Sequence, residues 1–124
     1  MDEKLKACGL DIKCTYEDIK DYCRGLPAAE NFAYLEISYW LVEHDRYELV
    51  LFPQPKDWRI HRLGDGFPNC FRIGRTQEPF VHEGVVKAGR ILYWQLRKDF
   101  PEIQFKRNFS EIAKADWATD CLRE

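Results

Sequence analysis

The chain has no apolar run near the roughly 18 residues that a membrane-spanning helix needs; its apolar stretches are short, as around Tyr39–Val42. The opening residues, Met1-Asp2-Glu3-Lys4, are acidic and lack the basic-then-apolar layout of a signal peptide. Cysteine occurs at Cys8, Cys14, Cys23, Cys70 and Cys121, an odd number with no Cys-x-x-Cys spacing. These absences predict a cytoplasmic protein with reduced thiols, neither membrane-bound nor held by a disulfide framework.

Chemistry-bearing motifs are equally scarce. Serine stands only at Ser38 and Ser110, and there is no Gly-x-Ser-x-Gly elbow. Neither a Walker-type loop nor Gly-x-Gly-x-x-Gly after a strand is present, and Gly64-Asp65-Gly66 reads as a turn. His44, His61 and His82 are not spaced as ligands on one element, so no metal and no cofactor is expected. The one enzymatic pairing the sequence suggests is Cys70 with His61, across the glycine turn and near Arg59, Arg62 and Arg72, where a thiolate would be favoured.

What is present is apolar and aromatic. Of 124 residues, 45% are hydrophobic and 15% aromatic, which suits one packed domain over residues 1–124. Four Trp, six Tyr and eight Phe strain the capacity of one small core, so some rings are expected at the surface, where partners bind. The net charge of −2 hides an asymmetry: residues 1–50 carry 6 basic and 11 acidic side chains, and residues 51–107 carry 11 basic and 6 acidic. Such asymmetry marks either an interaction surface or charge pairing inside the fold.

Patterning gives the elements. Glu3–Cys8 suggests one helical turn ended by Gly9. Thr15–Arg24 reads as a helix with Thr15 as N-cap, Gly25 as a left-handed C-terminal residue and Pro27 as the stop. Residues 32–52 alternate as a hairpin, with Leu35, Ile37, Tyr39 and Leu41 on one face, a turn at Glu43–Arg46, and Pro53 and Pro55 ending the second strand. Trp58–Leu63 and Cys70–Gly74 are further strands. Pro79–Lys98 is a helix with the stripe Val81, Val85, Ala88, Leu92 and Leu96, in which Gly84 and Gly89 permit close packing. Glu102–Arg107 is a short strand and Phe109–Leu122 a last helix. The expected class is α+β: a mainly antiparallel sheet of about five strands with two to three helices on one face.

The candidate binding residues are Trp58, Arg59, His61, Arg62, Arg72 and Arg75. Arginines interleaved with Trp58, Phe67 and Phe71 on neighbouring strands would form a positive surface with rings for stacking, as single-strand binders use. Arginine equally suits protein interfaces, through paired bonds to carboxylates. The acidic first half, with Glu17, Asp18 and Asp21 on one helix, could instead occupy a basic groove. These features point to a small non-enzymatic binding protein such as a regulator, an inhibitor or an immunity-type protein. Its partner is expected to be protein ahead of nucleic acid, with no membrane partner.

Two segments, Asp21-Tyr22-Cys23-Arg24-Gly25-Leu26-Pro27-Ala28-Ala29-Glu30 and Lys114-Ala115-Asp116-Trp117-Ala118-Thr119, resemble motifs of the YjbR/MmcQ-like family, and Arg97-Lys98-Asp99-Phe100-Pro101 resembles a helix end between them. The resemblance implies a CyaY-like α+β fold and a DNA-binding role. It brings no catalytic residues.

Overall fold

The computed structural model describes residues 1–26, 32–55 and 71–108. Helix α1 (Asp2–Lys6) is followed by Gly9, whose φ of +80° turns the chain into the short strand β1 (Leu10–Ile12). Helix α2 (Tyr16–Gly25) starts at a reciprocal cap. Thr15 Oγ1 accepts the Asp18 N–H, and the Asp18 carboxylate accepts the Thr15 N–H at 2.9 Å. Gly25 is not the left-handed terminator expected: it is the last helical residue, and Leu26 after it is right-handed at φ −68°.

Strands β2 (Phe32–Leu41) and β3 (Tyr47–Pro55) form the hairpin, paired from Leu41↔Tyr47 to Phe32↔Pro55. In the turn, His44 and Asp45 take φ of 61° and 58°, and the Val42 N–H donates to the Arg46 carbonyl at 2.8 Å. Pro53 lies inside β3, and the strand runs on to Pro55. Among the described residues, β3 beyond Leu51↔Phe71 pairs with β2 alone, so the missing proline N–H groups interrupt no described ladder to a second strand.

Strand β4 (Phe71–Thr76), helix α3 (Glu83–Asp99) and strand β5 (Phe105–Asn108) complete the described fold. The α3 helix begins four residues later than its Pro79 signal suggests. Phe80 sits at φ 61°, a left-handed conformation that cannot continue into a helix, and Val81 is left 44% exposed instead of joining the buried stripe.

The sheet order is β1-β4-β3-β2-β5, antiparallel except for the parallel β2–β5 pair, so the fold is α+β around a mostly antiparallel sheet. All three described helices pack on one face. There Leu35, Ile37, Leu49, Leu51 and Ile73 meet Ile19 and Cys23 of α2 and Val85, Leu92 and Leu96 of α3. Each such side chain removed from water contributes about 1.5–3 kcal/mol before entropy is counted. The second face is buried as well: Ser38, Glu48 and Val50 are inaccessible, and the Trp40 indole N–H donates to Ser38 Oγ at 2.9 Å. Close approach explains two glycines. A Cβ on Gly84 would lie 2.6 Å from the Cys8 carbonyl oxygen, and one on Gly74 would lie 2.6 Å from that of Asp11. Among the described residues, no helix is long and apolar enough to cross a membrane.

Candidate functional site

Arg72 and Arg75, the two candidate binding residues inside the described regions, meet on a buried carboxylate. Three residues apart, they would point to opposite faces of a regular strand. A bulge in the β3–β4 ladder, where Glu48 pairs with Arg75 and Val50 with Arg72, turns both toward Glu48. Arg72 Nε donates to Glu48 Oε2 at 2.8 Å and its Nη2 lies 2.8 Å from the same oxygen, with Arg75 Nη2 at 3.7 Å. Lys13, just past β1, reaches Glu48 Oε1 at 3.6 Å. The Glu48 side chain is inaccessible, and those of Arg72 and Arg75 are only 19% and 20% exposed. These groups form an ion cluster that ties β1, β3 and β4 together. Trp58, Arg59, His61 and Arg62 lie outside the described residues, as do Cys70 and the last predicted helix.

An open arginine–aromatic surface stands elsewhere, on α3 and β5. Burial of Val85, Ala88, Leu92 and Leu96 turns Lys87, Arg90, Trp94 and Arg97 outward, and all four are exposed. Trp94 is 59% exposed. The Arg97 guanidinium lies 5.1 Å from the Trp94 ring centre and 5.2 Å from that of Tyr93, and Arg107 from β5 lies 4.6 Å from the Tyr93 ring. Cation–π contact of this kind holds the guanidinium groups beside the rings, and Arg97 Nη1 also donates to the Tyr93 hydroxyl at 3.4 Å. On β5, Lys106 lies over the Tyr34 ring at 4.3 Å. Sequence reasoning passed over this stripe, although its spacing (87, 90, 94, 97) is the complement of the apolar stripe that it did identify.

The described thiols are poor nucleophiles. Burial pushes Cys14 up to about 11 and Cys23 up to about 12, which keeps both protonated at neutral pH. Among the described residues, no three His, Cys, Asp or Glu side chains gather as metal ligands. A cleft of about 110 Å³ beside Cys8, Leu10, Thr76 and Gly84 is well below the roughly 300 Å³ of small-molecule sites.

No family model, curated protein or solved structure matches this chain.

Proposed function

We propose that this chain is a binding protein rather than a catalyst, and that it contacts an acidic surface of a protein partner through the outward stripe of α3 and the adjoining end of β5. The observation that carries the reading is Trp94: a large ring left mostly in water, bracketed by Arg90 and Arg97 on one helix face. Trp, Tyr and Arg are the residue types that dominate binding energy at protein interfaces, and here they adjoin. The guanidinium edges of Arg97 and Arg107 suit carboxylate pairs.

One feature favours protein over single-stranded nucleic acid. Two guanidinium groups already lie over the Tyr93 ring, which withdraws that ring from the base stacking such binders rely on. The net charge of −2 adds no general attraction for a polyanion.

The test is site-specific photocrosslinking in the native host, with a benzophenone amino acid at position 94 and, as a remote control, at Lys4. The expected result is one discrete protein adduct from position 94, absent from the control and lost when Arg97→Glu is added. Adducts with nucleic acid alone, or protein adducts that survive Arg97→Glu, would contradict the reading.

A further inference from the structure

A second exposed apolar surface lies at the turn end of the β2–β3 hairpin. Leu41, Phe80 and Val81 are 57%, 68% and 44% exposed. They are linked through the hairpin and the chain. Leu41 pairs with Tyr47 across the hairpin, the Tyr47 ring lies 5.7 Å from His82, and His82 follows Phe80 and Val81 in the chain. The Phe80 N–H donates to the Asp45 carbonyl at 2.8 Å, which pins the Pro79–Phe80 segment to the turn.

Phe80 is held unusually. At φ 61° it occupies a region that bulky side chains rarely enter, and the backbone cost goes toward presenting a ring to water rather than burying it. The surroundings are acidic: Glu43 and Asp45 in the turn, Glu78 before the ring and Glu83 at the start of α3 are all exposed. His44, exposed, and Arg46, half-buried, are the basic side chains of the turn.

We infer that Phe80 is the centre of a second docking surface, whose occupant is a protein segment offering a bulky apolar residue flanked by lysine or arginine. The acidic rim sets this choice. It repels phosphate backbones and anionic lipid surfaces, and it complements basic side chains that flank an apolar one. The surface is chemically opposite to the basic stripe of α3 and does not depend on it, so the chain has two contact faces of opposite sign.

The experiment pans a phage-displayed random peptide library against the full chain carrying Trp94→Ala and Arg97→Ala, so that the basic face cannot dominate selection. Enriched peptides are synthesised and their Kd values measured by fluorescence anisotropy at several salt concentrations. The expected peptides carry one bulky apolar residue flanked by Lys or Arg. Phe80→Gly should weaken them by about tenfold or more, and Asp45→Asn with Glu78→Gln should flatten the salt dependence. Because glycine accepts a positive φ freely, Phe80→Gly should melt no lower than its parent, which separates lost contact from lost fold. Peptides lacking basic residues, or binding indifferent to Phe80→Gly, would overturn the inference. So would a dimer in sedimentation that Phe80→Gly converts to monomer, because the surface would then be occupied by a second copy of the chain.

Discussion

Arg72 directs two nitrogens, each at 2.8 Å, onto a single oxygen of Glu48, a carboxylate with no solvent exposure. An ion removed this fully from water is costly unless it is held by its counter-charges, and removing one partner leaves the other stranded. Arg72→Ala should therefore destabilise the protein by about 3 kcal/mol, as should Glu48→Ala. The double substitution should cost less than their sum by at least about 1 kcal/mol. Urea unfolding of the four proteins measures that coupling. Additive losses would mean that the pair is not energetically joined.

Two glycine substitutions should change stability in opposite directions. A Cβ at Gly84 would meet the Cys8 carbonyl oxygen at 2.6 Å, so Gly84→Ala should destabilise by about 1–3 kcal/mol despite alanine's better helix propensity. At Gly25 an added Cβ would meet no described atom within 4 Å beyond its own helix and chain neighbours, and Gly25→Ala should stabilise by up to about 1 kcal/mol. Thermal melts of both variants check the pair of signs. A stabilising Gly84→Ala would contradict the packing of α3 on the α1–β1 turn.

The Tyr16 hydroxyl donates to Asp99 Oδ2 at 2.6 Å, linking α2 to the end of α3. This bond, with help from Gln95, holds the Asp99 carboxyl below its ordinary 3.8. Burial, then the same bond, pushes the Tyr16 phenol above its ordinary 10.0. A lowered carboxyl contributes stability above 3.8 that is lost as pH falls through its folded value. A raised phenol contributes stability below 10.0 that is lost as pH rises through its folded value. Tyr16→Phe should thus cost about 1 kcal/mol between roughly pH 5 and 9, and less at either extreme. A difference that stays constant from pH 3 to pH 11, read by chemical denaturation, would refute the assignment.

How much of this was legible in the sequence differs by element. The start of α2 could be read because Thr15 and Asp18 have the capping spacing, and the hairpin because its apolar residues alternate. The buried stripe of α3 from Val85 to Leu96 followed from period 3.6, though the start of the helix did not, and the outward stripe around Trp94 was there to be read by the same count. The β1 strand was missed because Leu10–Ile12 is too short to show a period. The ion cluster was not legible, since counting by twos places Arg72 and Arg75 on opposite faces and only the bulge brings them together. Pro79 signalled a helix start, but the left-handed Phe80 behind it is a tertiary feature, tied to Asp45 across the fold.

Trp94 distinguishes a contact surface on α3 from a merely solvated helix face. At 59% exposure it adds little to the core, so Trp94→Ala should shift the melting temperature by no more than about 2 °C. The decisive measurement is the Kd of the crosslinked partner for the native chain and for this variant, by titration calorimetry. A rise of about thirtyfold or more, with the melting temperature held, is the predicted result. An unchanged Kd, or a melting temperature lowered by more than about 10 °C, would show that Trp94 is not a contact anchor.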